Sequence, residues 1–142
     1  MKNLKQILVE KVNNSDWWHV PPRDPSAYKK RGKFLASTFR QAEFYGRPND
    51  IPEKVSISNP AYGISEKRIL KILFPTKYKD LCSTAVYDSE DWYERRIELD
   101  AKMYQKAKMM GYDAIILIGR NGKKYLGKNR KPHSIELNLV NI

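Results

Sequence analysis

Three side chains in this sequence have the types and settings to act together on a small molecule: His19, Tyr45 and Glu136. His19 sits in Trp17-Trp18-His19-Val20-Pro21, where a histidine can hydrogen-bond a ligand hydroxyl or titrate near neutral pH. A lone histidine beside two tryptophans is equally an ordinary structural side chain. Tyr45 ends Ala42-Glu43-Phe44-Tyr45-Gly46, just after Leu35-Ala36-Ser37-Thr38. Its ring can stack on a planar heterocycle while its hydroxyl stays wet, provided that Phe44 serves as the core anchor of that turn. Glu136 follows Arg130, Lys131 and His133. The field of Arg130 and Lys131 favours its ionised form and attracts phosphate. The competing reading of Glu136 is the solvent face of an alternating strand.

The elements around these residues are legible from periodicity and punctuation. Leu4, Ile7, Leu8 and Val12 fall on one helical stripe, so the first twelve residues predict an amphipathic helix ended by Asn13-Asn14-Ser15-Asp16. Trp17 to Val20 predicts a short strand stopped by Pro21-Pro22, with Trp17 and His19 on one face and Trp18 and Val20 on the other. Asp24-Pro25 and Gly32 bracket a short helix. Lys33 to Thr38 reads as a strand whose Ser37 or Thr38 caps the helix ending at Gly46. The spacing of Val55-Ser56-Ile57-Ser58 predicts a half-buried strand ending at Asn59-Pro60. Ser65 caps a helix through Phe74.

A long helix is expected from Asp88 or Ser89 to Met110, with Trp92, Leu99, Met103, Ala107 and Met110 as its inner stripe and Gly111 as its C-cap. Ala114 to Ile118 is an apolar run suited to a strand buried on both faces. Asn121-Gly122 predicts a tight hairpin that pairs Lys124-Tyr125-Leu126 back onto that run. Ser134 to Val140 alternates as a final strand, with Ile135, Leu137 and Leu139 on one face and Glu136 and Asn138 on the other. Helices early, strands throughout and a β-rich end imply an α+β domain, taken as one unit over residues 1–142.

Composition bounds the function. The chain carries 27 Lys and Arg against 16 Asp and Glu, a net charge of +11, which favours contact with polyanions. A solvated basic surface is the plainer meaning of the spread clusters; the run from Arg120 through Lys131 differs because it leads into Glu136. A single cysteine, Cys82, leaves no internal disulfide and no multi-cysteine zinc site. No apolar run reaches membrane-spanning length and the N-terminus is too charged for a signal peptide, so a cytoplasmic protein without membrane contact is expected. Glu90, Asp91, Glu94, Glu98 and Asp100 form a rival carboxylate set, but no metal spacing supports them and they read as structural. No metal site is expected, and no Gly-rich phosphate loop or nucleophile elbow is present.

Taken in order, His19, then Ser37-Thr38 with Ala42-x-x-Tyr45, then Ser134-Ile135-Glu136-Leu137, resemble the histidine–tyrosine–glutamate pattern of ADP-ribosyltransferases. The likeness is to the diphtheria-toxin and poly(ADP-ribose) polymerase branch. Met110-Gly111-Tyr112-Asp113-Ala114-Ile115 is similar to the helix-to-strand step of small bacterial and phage members. The resemblance implies a split mixed or antiparallel sheet with flanking helices, NAD as substrate, and a macromolecular acceptor, protein or nucleic acid. It implies catalytic roles for His19, Tyr45 and Glu136, and NAD contacts from His19, Val20, Ser37, Thr38 and Tyr45. His19 would bind a ribose hydroxyl of the adenosine half, Tyr45 would stack on nicotinamide, and Ser37 would support the pocket. Glu136 would bind the nicotinamide ribose and stabilise the cationic transition state. The sequence departs from the pattern at Ile116-Leu117-Ile118-Gly119-Arg120, where other small members carry an acid. The alternative is a non-enzymatic basic module, binding nucleic acid or protein as a phage or host-defence inhibitor, on the same fold.

Overall fold

A computed structural model describes residues 3–82, 90–126 and 131–141. Five strands form one mixed sheet in the order β1-β2-β5-β4-β3: β1 (Trp18–His19), β2 (Lys33–Ala36), β3 (Pro60–Gly63), β4 (Ala114–Leu117) and β5 (Glu136–Leu139). Only β3 and β4 run parallel; the other neighbours are antiparallel. Helices flank the sheet: α1 (Leu4–Asn13), α2 (Ala27–Arg31), α3 (Phe39–Ala42), α4 (Glu66–Leu73), α5 (Trp92–Met109) and α6 (Gly119–Lys123). The molecule is thus a mixed α/β protein.

Pleating sends alternate residues to opposite faces, and the register sorts them into two cores. Leu35, Leu137 and Ile116 lie in one row across β2, β5 and β4, and pack with Leu8 and Val12 of α1 and with Trp17. Ala61 and Ile115 form the opposite row and pack with Ile69, Leu70 and Leu73 of α4 and Leu99, Met103, Tyr104 and Ala107 of α5. Trp17 is fully buried and its Nε1 donates to Val12 O, so the first tryptophan is core. Trp18 is half-buried and meets Phe39 edge-on at 5.1 Å.

The caps follow the expected chemistry at several ends. Asn3 and Gln6 close a reciprocal capping box on α1, Thr38 accepts from Gln41 N to open α3, and Ser65 accepts from Arg68 N to open α4. Asp24 does not cap α2; its Oδ1 accepts from the N–H of Ser26, the residue just before the helix. The carboxylate of Asp100 in α5 is structural: Arg96 bridges it, at 2.6 Å, to Glu66 of α4, at 2.7 Å.

Two local expectations are corrected. Residues 55–58 are not a strand; Asn13 clamps the Ile57 backbone from both sides, and Ile57 serves as a core plug instead. The strand begins later, at Pro60, because Asp113 holds Ser58 N and Asn59 N and so delivers β3 to β4. Nor does Asn121-Gly122 make a hairpin. Both edges of β4 are already taken, by β3 and β5, so Lys124-Tyr125-Leu126 has no partner edge, and residues 119–123 coil into α6. The expected helix opening at Asp88 or Ser89 lies outside the described residues, as does Arg130.

Candidate functional site

β2 ends at Ala36, directly opposite Glu136, the first residue of β5, and Glu136 is in turn opposite Leu117, the last residue of β4. Three strand ends therefore meet at Glu136. The chain leaving β2 turns at once through Ser37 and Thr38 into α3 and a single 3₁₀ turn, Glu43–Tyr45. That turn carries Tyr45 back over the end of the sheet, where its hydroxyl donates to Glu136 Oε1 at 2.6 Å.

Ser37 locks the junction. Its N–H donates to Ile135 O at 3.2 Å, its Oγ accepts from Ile135 N at 3.1 Å, and its hydroxyl donates to Gln41 Oε1 at 2.7 Å. The Gln41 amide returns to Ile135 O at 3.4 Å. Both backbone polar groups of Ile135, the residue that precedes Glu136, are thereby held by one turn of the chain. Ser37 is itself buried, so these bonds are made away from competing water.

The aromatic assignment in this turn is corrected. Phe44 does not anchor the core: it is 87% exposed, because the buried residue of the turn is Ala42. Tyr45 is 68% exposed, and its ring is held to the sheet by the bond to Glu136. Gly46 ends the turn with φ +144°, and a Cβ there would lie 2.9 Å from Val20 Cγ1. Val20 is half-buried and fits directly beneath that glycine.

His19 is placed apart from this pair. It lies opposite Leu35 on β1, in the row that continues through Leu137, whereas Glu136 belongs to the alternate row. The ring is 4% exposed. Its Nδ1 is 2.7 Å from Phe34 O, which can only accept, so Nδ1 carries the proton and Nε2 accepts from Tyr28 OH at 2.9 Å. Burial is the main cause that lowers its pKa, with the bond to Phe34 O opposing. Burial and the acceptor at Phe34 O together favour the neutral ring with its proton on Nδ1.

The structure joins Tyr45 and Glu136 and sets Ser37 and Thr38 at the same corner, while the His19 ring bonds Phe34 O and the Tyr28 hydroxyl instead. Sequence reasoning missed two partners. Gln41 stands four residues after Ser37 at a helix start, a spacing that allows side chains to meet. Tyr28 carried no signal, since α2 is placed beside His19 only by the tertiary fold. Among the described residues, no group of three or more His, Cys, Asp or Glu is arranged to hold a metal ion, and no helix is long and apolar enough to cross a membrane. No family model, curated protein or solved structure matches the chain.

Proposed function

We propose that this chain is a small NAD-dependent ADP-ribosyltransferase, with an ADP-ribosyltransferase-like fold, acting in the cytoplasm on a macromolecular acceptor. The observation that supports this reading is the 2.6 Å bond between Tyr45 and Glu136. It gathers an exposed aromatic ring and a carboxylate at the meeting point of three strand ends, a setting suited to a flat base with a ribose attached. On this reading the Tyr45 ring stacks on nicotinamide. Tyr45 occupies Oε1, which leaves Oε2 of Glu136 to accept from the ribose 2′-hydroxyl. The carboxylate charge then stabilises the oxocarbenium-like centre that develops as the glycosidic C–N bond breaks. The bonding pair leaves with nicotinamide, and the acceptor nucleophile bonds the anomeric carbon and loses its proton to solvent. Val20, Ser37 and Thr38 shape the pocket wall.

The test is nicotinamide release from labelled NAD with candidate acceptors, for the wild type and Glu136→Ala. Release by the wild type and its loss in the variant support the reading. No release by either removes the enzyme, and retained NAD binding would then make the chain an NAD-binding protein. The net charge of +11 favours a second reading, a non-enzymatic basic module for nucleic acid or protein. That reading expects polyanion binding with no NAD turnover.

A further inference from the structure

Residues 114–135 contain six Lys and Arg, namely Arg120, Lys123, Lys124, Lys128, Arg130 and Lys131, and no Asp or Glu. All six lie in residues 118–135, the connection between β4 and β5, the two strands that meet at the candidate site. The fold presses its described part against the approach to Glu136. A Cβ on Gly122 of α6 would lie 2.9 Å from Ile135 Cγ1 and 3.3 Å from His133 O, and one on Gly119 would lie 3.6 Å from Ser134 O. So α6 sits on residues 133–135, immediately before the glutamate. Arg120, Lys123, Lys124 and Lys131 are exposed, and none forms an ion pair with a described residue. The acids nearest in sequence lie at the far ends: Asp113 is bonded to Ser58 and Asn59, and Glu136 to Tyr45.

Aromatic rings accompany the charge. The Tyr125 and His133 rings stand 5.2 Å apart at a tilt of 36°, and Ser134 Oγ fixes the His133 ring through Nδ1 at 2.8 Å. His133 is exposed. Basic side chains that track a backbone, beside a ring on which a base can stack, are the elements of a single-strand nucleic-acid surface. An acidic peptide would use the charge but not the ring.

We infer that α6 and the adjoining Lys131–Ser134 segment bind single-stranded nucleic acid, with phosphates on Arg120, Lys123, Lys124 and Lys131 and a base on His133. The surface would present that strand to Glu136 as the acceptor. The acceptor role rests on the transferase reading; the binding surface does not.

The experiment uses the full chain and labelled single-stranded DNA and RNA of about 15 nucleotides, the upper range of a single binding fold. Affinity should fall with salt at a log–log slope of about −3, the value for four phosphates on a single strand. Lys123→Glu with Lys124→Glu should weaken binding at least tenfold and flatten the slope, and His133→Ala should weaken it about tenfold. Lys71→Glu with Lys77→Glu, an equal charge change on the α4 side, should leave affinity within threefold. Circular dichroism confirms that each variant is folded. Salt-insensitive binding, equal losses from the two charge reversals, or equally tight binding of polyglutamate would overturn the surface. Labelled NAD in the same mixture separates the two claims. ADP-ribose on the oligonucleotide supports both. Strand binding without nicotinamide release leaves the surface standing and removes the transferase. Nicotinamide release without strand binding does the reverse.

Discussion

The Tyr45 hydroxyl donates to Glu136 Oε1 at 2.6 Å, joining two residues 91 positions apart in the chain. The contact is exposed, so its value to stability is small, yet it sets the ring and the carboxylate in one place. The pair is set at the mouth of the sheet, on a turn whose neighbouring Phe44 is also solvent-facing.

Tyr45→Phe and Glu136→Gln should therefore separate stability from chemistry. Each should change unfolding free energy by no more than about 1 kcal/mol, as an exposed hydrogen bond allows. On the transferase reading, Glu136→Gln should lower nicotinamide release by about 100-fold or more, because it removes the charge that would face the developing cation. Tyr45→Phe keeps the ring and should lower it far less. Urea titration and a single-turnover NAD assay check the pair, and equal effects of the two variants on turnover would refute the division of roles.

Ser37→Ala should be costly. It strips the acceptor from Ile135 N and the donor from Gln41, leaving a buried N–H without its partner. The expected loss is about 1–3 kcal/mol. Gln41→Ala should cost less, and the double variant should cost less than the sum, since both residues hold the Ile135 peptide. Additive losses in a double-mutant cycle would show that the Ser37–Gln41–Ile135 network is not a unit.

His19 gives the fold a pH dependence of defined sign. Its folded pKa is lowered, chiefly by burial, so the unfolded chain binds the proton more readily. The stability due to the neutral ring is full above about pH 6.5, the ordinary histidine range, and is lost as pH falls from there through the lowered folded value. His19→Phe should flatten that slope while losing the Phe34 and Tyr28 bonds. Urea midpoints between pH 7.5 and 5 test it, and an unchanged slope would mean that another group titrates.

Gly46→Ala should disturb the site from behind. The residue has φ +144°, and its new Cβ would meet Val20 Cγ1 at 2.9 Å. The strain and the clash together should cost about 1–3 kcal/mol. The turn must also shift, moving Tyr45 off Glu136, so nicotinamide release should fall with the stability. Thermal unfolding and tyrosine fluorescence report both effects; wild-type values in both would show that the turn tolerates the side chain.

Much of this molecule could be read without coordinates. Leu8 and Val12 of the first helix, the Thr38 and Ser65 caps, Leu99, Met103 and Ala107 of α5 and the alternation around Glu136 follow local patterns of spacing and hydrogen bonding. Leu4, Trp92 and Met110, expected on the same inner stripes, are exposed because no described element covers the helix ends. What failed was decided by neighbours distant in sequence. Asn121-Gly122 is good hairpin chemistry, but the strand edge that it needed was occupied by β5. Val55–Ser58 has strand periodicity, yet Asn13 and Asp113 set the backbone otherwise. Phe44 is apolar, but the turn buries Ala42 and sends the ring to solvent.

The candidate site divides in the same way. Residue type and spacing alone marked His19, Ser37, Tyr45 and Glu136 as able to do chemistry, because function needs particular groups and these are few in the chain. Which of them meet was a matter of tertiary structure. The register that sets Ala36 against Glu136, and the turn that folds Tyr45 back, join the tyrosine to the glutamate. The same register places His19 in the other row of the pleat, where Phe34 and Tyr28 hold it. The physical reason is that strand pairing is a long-range choice made by the whole sheet, so the side chains it gathers cannot be deduced from any one segment.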